Sequence, residues 1–185
     1  MKKHIISSLL LTLYTLLFFG VVYTAAVTGV AWLAAPNHGS GQTVTVNGHV
    51  AGYALVGQKF TDDKYFWSRP SAVDYNAAGS GGSNKGPSNP DYLAQVQARI
   101  DTFLAHNPDV KRNQIPSELV TASGSGLDPD ISPAAALVQV KRIAAVRKIS
   151  TAKIIELVNA HTDKPLLGPE KINVLQLNIA LNTLK

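Results

Sequence analysis

The sequence has no cysteine, and only 16% of its 185 residues are charged. The absence of cysteine excludes disulfides, thiolate metal sites and cysteine nucleophiles. Charged residues make up about 25% of an average domain, so this deficit, together with 45% hydrophobic residues, indicates a membrane segment rather than a disordered chain. The charge is also unevenly placed, because no Asp, Glu, Lys or Arg occurs between Lys3 and Lys59. The formal net charge is +5, but Lys2 and Lys3 precede the apolar run, and the +3 of residues 36–185 is too small to favour nucleic acid as a partner.

The uncharged run at residues 5–35 is long enough to form a membrane anchor. A helix needs about 20 apolar residues to cross the hydrocarbon core, and we predict a transmembrane helix over residues 13–34. Residues 1–12 then form a cytoplasmic N-terminus, and residues 35–185 form one extracytoplasmic domain. The alternative is a cleaved signal peptide with small residues at 24–26, but the apolar part of a signal is only about 7–15 residues long.

The orientation follows from the flanking charges. Lys2 and Lys3 precede the apolar run, whereas residues 36–58 contain no Lys or Arg. Because positive residues stay on the cytoplasmic side, the N-terminus is predicted to be cytoplasmic and the domain external. The predicted helix also has small residues that would allow close approach of another helix in lipid, although glycine is frequent in membrane helices generally. These interface candidates are Gly20, Ala25, Thr28 and Gly29.

The residues beyond the anchor predict an α+β domain with a β-hairpin and several helices. Asn47-Gly48 is typical of a type I′ turn, here between strands at 43–46 and 49–56. Residues 65–67 are a further β-prone run, and residues 71–90 form a long polar loop. Helices are predicted from Pro90 to Asn107, from Ser132 to about Lys148, and after a cap at Ser150 or Thr151. The pattern at 171–184 fits a strand or a helix, and the helix is favoured because Asn and Gln are poor strand formers.

Two glycine-rich loops carry the residue types that could form a site. Residues 80–86 can present backbone N–H groups to an anion, but they lack the spacing of a Walker phosphate loop. Residues 121–129 offer hydroxyls and a carboxylate, yet the sequence around Ser123 is not the G-x-S-x-G of a hydrolase. The aspartates and the five histidines have no metal-ligand spacing. A basic stripe for solvent or a partner is predicted at Lys141, Arg142, Arg147 and Lys148.

Several blocks together resemble the C subunit of the Kdp potassium-transporting ATPase, the small single-span subunit of that bacterial complex. The resemblance runs from the anchor to the C-terminus, in the order and at the spacing of the family. The blocks are 54–60 (ALVGQKF), 65–72 (YFWSRPSA), 80–90 (SGGSNKGPSNP), 115–133 (IPSELVTASGSGLDPDISP), 139–147 (QVKRIAAVR) and 172–181 (INVLQLNIAL).

The resemblance implies a non-catalytic, accessory subunit in the bacterial inner membrane. Its partners would be membrane lipid, a channel-like A subunit that conducts potassium, a B subunit that hydrolyses ATP with magnesium, and a small F peptide. The subunit would have no cofactor of its own. It would stabilise assembly and raise the ATP affinity of the B subunit as a catalytic chaperone. Because the predicted topology separates residues 36–185 from cytoplasmic ATP, that effect would be allosteric, through the membrane helix.

A different class of function remains the alternative, namely a membrane-anchored extracytoplasmic hydrolase or a binding module unrelated to transport. In either class no residue is assigned to catalysis or to a metal. The loop residues that could contact a partner are Arg69, Ser71, Asn76, Ser80, Gly81, Gly82, Ser83, Asn84, Thr121, Ser123, Ser125 and Asp128. The sequence leaves open whether these loops contact the A subunit, each other or nothing. Arg69 is expected to be structural, bound to backbone carbonyls or to a carboxylate such as Asp74 or Asp128.

Overall fold

The structure, a computed structural model, describes residues 2–184. The chain divides into two compact units, Met1–Gln42 and Thr43–Lys185. The first unit is helical, and the second combines two small antiparallel sheets with five helices in its described part, which is an α+β arrangement. The fold class predicted from the sequence is confirmed at this level.

The first unit is a long helix with one wide turn. Helix α1 (Lys2–Leu17) continues through a π-helical turn (Phe18–Tyr23) into helix α2 (Thr24–Ala34). The hydroxyl of Thr24 donates to the carbonyl of Phe19, five residues back in that turn, at 2.9 Å. Residues His4–Ala34 are long and apolar enough to cross a membrane, and none of that helix is buried within the structure. The helix therefore extends beyond the predicted span of 13–34, because residues 2–12 are helical too.

The second unit begins with the predicted hairpin. Strands β1 (Thr43–Val46) and β2 (His49–Tyr53) pair antiparallel, with Val46 opposite His49. Asn47 and Gly48 have φ values of 51° and 81°, the positive values that a type I′ turn requires. The second strand was predicted to extend to residue 56, but it ends at Tyr53.

Five helices and a two-residue sheet build the rest of the domain. Strand β3 (Asp130–Ile131) pairs antiparallel with β4 (Ile172–Asn173), which brings together the two ends of the segment at residues 132–171. The helices are α3 (Pro90–His106), α4 (Pro133–Leu137), α5 (Val140–Arg147), α6 (Thr151–Ala160) and α7 (Val174–Thr183). The core between them contains Phe66, Phe103, Ile131, Ile143, Ile154, Val158, Ile172, Leu177 and Leu181. Full burial of such a side chain contributes about 1.5–3 kcal/mol, so this core fixes the positions of the connecting loops.

The predicted helix N-termini are confirmed by their capping bonds. The side chains of Asn89, Ser132 and Ser150 each accept a hydrogen bond from a backbone N–H of the first turn. Pro90 and Pro133 follow the first two caps, where the missing N–H costs no helical bond. The tail that fitted both periodicities is helical from Val174, after the two residues of β4.

The prediction of one helix from Ser132 to Lys148 is wrong, because α4 and α5 are separated at Val138 and Gln139. The side-chain amide of Gln139 donates to the carbonyl of Ala135 at 3.0 Å, the acceptor that its own backbone N–H would use in a continuous helix. The backbone N–H of Gln139 bonds instead to Ala136, three residues back, at 3.0 Å. A side chain that takes a main-chain acceptor thus tightens the helix at this point.

The β-prone run at 65–67 is extended but belongs to no strand, so this prediction also needs correction. The N–H and carbonyl of Phe66 bind the side-chain amide of Asn178, at 2.8 and 3.0 Å. The N–H of Trp67 donates to Oε1 of Gln139 at 2.7 Å. Two buried amide side chains therefore supply the hydrogen bonds that a neighbouring strand would otherwise provide.

Candidate functional site

The two glycine-rich loops lie against each other. We call residues 71–86 and 121–129 the loop pair. The N–H of Gly81 and the hydroxyl of Ser80 both donate to the carbonyl of Ser125, at 2.8 and 2.9 Å. The N–H of Ser123 donates to the carbonyl of Pro70 at 3.1 Å, at the start of the first loop. The contact that the sequence left open is thus made within the chain.

An ion pair joins the same two segments. Nη1 of Arg69 lies 2.6 Å from Oδ2 of Asp128, and the two side chains are only 24% and 30% exposed. The other oxygen of Asp128 accepts the N–H of Asp130 at 3.0 Å. Of the two carboxylates proposed for Arg69, Asp128 is therefore the partner. Asp74 instead pairs with Lys59 at the surface.

Tyr75 holds the other side of Arg69. Its hydroxyl donates to the carbonyl of Arg69, and burial raises the pKa of Tyr75 to about 12. The phenol is therefore a neutral donor over the whole physiological range. Nε of Arg69 is buried and has no hydrogen-bond partner within residues 2–184. Tyr75 thus fixes the backbone of Arg69 and Asp128 fixes its Nη1, while Nε of Arg69 remains an unsatisfied donor.

Two glycines permit the close approach of the loops. Gly126 has a φ of +68°, and a Cβ there would lie 2.6 Å from Cγ2 of Val73 and 2.8 Å from the carbonyl of Gly81. Gly57 donates its N–H to the carbonyl of Leu127 at 2.7 Å. A Cβ at Gly57 would lie 2.5 Å from the carbonyl oxygen of Asp128. Any side chain at either position would push the segments apart.

The hydroxyls of the second loop brace its own turns. Oγ of the buried Ser123 accepts the N–H of Gly126 at 2.9 Å, and Oγ of Ser125 accepts the N–H of Leu127 at 3.1 Å. The hydroxyl of Thr121 donates to the carbonyl of Ser117 at 2.8 Å. These are the local side-chain to backbone bonds of Ser/Thr turns, and they give the hydroxyls a structural role.

The first loop uses its polar side chains in the same way. Oγ of Ser71 accepts from the N–H groups of Val73 and Tyr75, at 3.2 and 2.9 Å. Oδ1 of Asn76 accepts the N–H of Ala78 at 3.1 Å and so caps a short 3-10 turn. The remaining candidates lie toward the loop surface. Gly82 is half-buried near the carbonyl of Gly124, Ser83 is half-buried, and Asn84 is exposed with a φ of 51°.

The anion-binding hypothesis for residues 80–86 is weakened by these contacts. The N–H of Gly81, one of the groups that would face an anion, already donates to Ser125. Within residues 2–184, no group of three His, Asp or Glu side chains is placed to hold a metal ion. The polar groups of the loop pair therefore mainly hold the two loops in place.

Arg142, which the sequence analysis predicted to be at the surface, is buried and binds the segment at residues 63–67. The side chain of Arg142 is 2% exposed, so the predicted basic stripe is wrong at this position. Nη1 donates to the carbonyl of Asp63 at 2.6 Å, and Nη2 donates to Gln139 at 2.8 Å. Nε donates to Asn107 at 3.1 Å, and the guanidinium lies 4.7 Å from the ring of Trp67. Burial lowers the pKa of Arg142 to about 10, which leaves it charged near neutrality.

The prediction of an exposed basic stripe is also wrong at Arg147, which is half-buried. It reaches across to the carbonyls of Lys64 and Leu181, at 2.7 and 3.1 Å. Of the predicted stripe, only Lys141 and Lys148 are exposed residues. The signal that the sequence analysis missed was the pair Gln139 and Arg142, at the start of α5. These two polar residues are three positions apart and both are buried.

The interface candidates of the first unit lie along one groove of the long helix. Gly20, Ala25, Thr28 and Gly29 line it together with Val21, Thr24 and Trp32, around a volume of about 580 Å³. A Cβ added at Gly20 or Gly29 would meet nothing within 4 Å. This face is therefore open and small enough for another helix to approach closely.

These features define a class before any comparison: a protein with an N-terminal helix long and apolar enough to cross a membrane, followed by an internally braced α+β domain. Comparison with known proteins then gives the family. The family model "K+-transporting ATPase, c chain" matches residues 5–183. The chain belongs to this family, and the resemblance inferred from the sequence is confirmed.

Full-length relatives have the same description. The chain is 58% identical over 183 residues to the potassium-transporting ATPase KdpC subunit of Flavobacterium johnsoniae, covering 99% of this chain and all of the relative. It is 52% identical over 188 residues to that subunit of Bacteroides fragilis, covering 99% and 98%. Identity to that of Caldanaerobacter subterraneus subsp. tengcongensis is 43% over 184 residues, covering 98% and 95%. Family membership thus favours a role in potassium transport over the unrelated hydrolase or binding module.

Proposed function

We propose that this chain is a non-catalytic subunit that stabilises the assembly of a potassium-transporting ATPase. Its partners would be the channel-like A subunit, the ATP-hydrolysing B subunit and the F peptide. The observation that carries the proposal is the loop pair, in which Ser71, Ser123 and Ser125 all bind backbone N–H groups of their own loops. Side-chain oxygens used in this way hold the turns of their own loops, and loops held in shape are pre-organised for docking.

The proposed location is the bacterial inner membrane, with the N-terminus cytoplasmic and the domain outside. Lys2 and Lys3 before the apolar helix support this orientation. An external domain beside a potassium-conducting subunit would contact the outer loops around its entrance. The braced loop pair would lose little conformational entropy on such docking, which favours a stable complex.

The chain is proposed to bind no nucleotide, so that ATP and magnesium belong to the B subunit and potassium to the A subunit. No Walker lysine follows residues 80–86, and the N–H of Gly81 is already bonded within the chain. Any increase in ATP affinity that the subunit confers would then be allosteric. It would require two states of the complex whose contacts with this chain differ in free energy.

Substitution of glycine at two positions of the same loop pair tests the docking role. Gly126→Ala places a Cβ against Val73 and Gly81, whereas Gly79→Ala places one in open space. Both variants are expressed as full chains with the other subunits, and chain levels in the membrane are measured alongside co-purification. We expect Gly126→Ala to reduce co-purified complex and potassium-stimulated ATPase activity, and Gly79→Ala to leave both unchanged. Normal assembly with Gly126→Ala would refute docking through the loop pair.

Calorimetry of the full chain with Mg-ATP tests the nucleotide part. We expect a dissociation constant no tighter than about 1 mM, since no phosphate loop is present. A micromolar value that is lost in the Ser123→Ala, Ser125→Ala double variant would establish direct nucleotide contact and overturn the allosteric interpretation.

A further inference from the structure

A cavity to which the proposed function assigns no ligand lies between the segment at residues 59–75 and helix α3. Its volume is about 340 Å³, within the range of about 300–1,000 Å³ typical of small-molecule sites. Phe60, Trp67 and Phe103 provide aromatic walls, and Arg69 and Arg99 lie among the polar residues at its surface. The rings of Trp67 and Phe103 meet edge to face, with centroids 6.2 Å apart.

The cations that line the cavity are not equally compensated. Lys59 pairs with Asp74 at 2.6 Å, and Arg69 pairs with Asp128 at 2.6 Å. Arg99 donates from Nη1 to the backbone carbonyl of Val120 at 3.2 Å, and no ion pair within residues 2–184 neutralises it. The cavity therefore combines aromatic walls with one cation whose charge has no carboxylate partner.

We propose that this cavity binds a small organic anion with one carboxylate on an apolar body. The carboxylate would form a charge-assisted hydrogen bond with the guanidinium of Arg99, and the apolar body would lie against Trp67 and Phe103. A single uncompensated cation matches a monoanion, whereas a triphosphate would bring several charges to it. The positive lining also disfavours potassium or any other cation. Ser71, Asp74 and Tyr75 of the loop pair also line the cavity. The three residues that would contact the ligand, Arg99, Trp67 and Phe103, lie outside the loop pair.

Trp67 provides a direct reporter of occupancy. The chain has two tryptophans, Trp32 in α2 and Trp67 in the cavity wall, so Trp32→Phe leaves one fluorophore. The full chain with this substitution, in detergent, is titrated with 4-phenylbutyrate and with its neutral amide. We expect a saturable change of Trp67 emission with the acid and at least about fivefold weaker binding of the amide. Equal affinities would overturn the assignment of a carboxylate to Arg99.

Two arginine substitutions separate a local from a general charge effect. Arg99→Gln is expected to weaken binding of 4-phenylbutyrate about tenfold while leaving binding of the amide unchanged. Arg112→Gln removes the same charge from an exposed side chain that bonds to Gln97, and it should leave both affinities unchanged. Arg99→Lys, which keeps the charge, should retain the preference for the acid and covers the case in which Arg99→Gln fails to fold. Equal weakening by Arg99→Gln and Arg112→Gln, or loss of the preference in Arg99→Lys, would refute the proposed contact.

Equilibrium dialysis of labelled 4-phenylbutyrate against the assembled complex decides whether the occupant is a free molecule. Binding to the complex that Arg99→Gln weakens about tenfold, as in the isolated chain, supports a small-molecule ligand. Binding to the isolated chain with none to the complex would show that a neighbouring subunit fills the cavity, and would overturn the proposal of a free anion.

Discussion

The ion pair between Arg69 and Asp128 gives the sharpest test of how the loop pair is held together. We consider Arg69→Ala, Asp128→Ala and the double variant. A hydrogen bond to a charged group contributes about 1.5–3 kcal/mol, and breaking a fully buried pair costs about 3–5 kcal/mol. Because these side chains are 24% and 30% exposed, we expect each substitution to lower the free energy of unfolding by about 2 kcal/mol.

The two single substitutions should differ in a definite direction. Asp128→Ala leaves the guanidinium of Arg69 without its counter-ion and also removes the acceptor for the N–H of Asp130. Arg69→Ala, by contrast, also removes the buried Nε donor that lacks a partner. An unsatisfied buried donor costs about 1–3 kcal/mol, so its removal offsets part of the loss. Asp128→Ala is therefore expected to be the more destabilising of the two.

Thermal and denaturant unfolding of the full chain, followed by Trp67 emission in the Trp32→Phe background, would measure this cycle. A loss of about 2 kcal/mol corresponds to about 4–8 °C in Tm for a domain of this size, and we expect a coupling energy of about 1 kcal/mol. The pair between Lys59 and Asp74 has the same 2.6 Å separation but exposures of 56% and 80%, so its coupling should stay below about 0.5 kcal/mol. Equal coupling in the two pairs, or none in either, would show that burial of the Arg69 pair adds nothing.

Three further predictions concern other parts of the molecule. Arg142→Ala should cost about 3–5 kcal/mol in unfolding experiments, because it strands buried acceptors, while Lys141→Ala should change stability by less than about 0.5 kcal/mol. The pKa of Tyr75 is near 10 in the unfolded chain and about 12 in the folded chain, so the Tm of the wild type should decrease as the pH rises from 10 to 12. Tyr75→Phe should make that decrease smaller. Gly29→Leu, which fills the open groove, should reduce co-purification with partner subunits more than Leu13→Val, and equal yields would argue against that face.

The features that the sequence predicts well are those set by neighbouring residues. The Asn47-Gly48 turn and the caps at Asn89, Ser132 and Ser150 follow from local backbone chemistry, and the structure contains all four. The long apolar helix follows from composition alone. None of these features depends on what the rest of the chain does, which is why a pattern of a few residues suffices.

The features that the sequence does not predict depend on distant side chains. The segment at residues 65–67 has strand composition, but its hydrogen bonds come from Gln139 and Asn178, which lie 72 and 112 residues away. Arg142 has the sequence context of an exposed helical cation, yet carbonyls at Asp63 and Tyr65 bring it into the core. Amphipathic patterns record burial of apolar residues and carry no signal for a polar group that is buried with its partners.

The rigidity of the loop pair is another feature that the sequence does not predict, and it bears on function. Composition rich in glycine and serine is typical of flexible linkers, so residues 71–86 alone would be expected to be mobile. Here Gly126 and Gly57 are the positions that let three segments approach closely, and the serines bind backbone groups. The glycines therefore permit packing, and the loops gain rigidity from it.

Rigidity restricts how an accessory subunit of this kind can act on ATP hydrolysis. A braced domain offers the same surface to every state of the complex, so it alters an equilibrium only if its partners present different surfaces in those states. The allosteric effect proposed here would then reside in contacts that form in one state and break in another, along the small-residue groove of the long helix or at the loop pair. Substitutions in the buried network around Arg142 should therefore lower stability and leave the ATP dependence of the assembled complex unchanged, whereas Gly29→Leu should alter that dependence in the complex that still assembles.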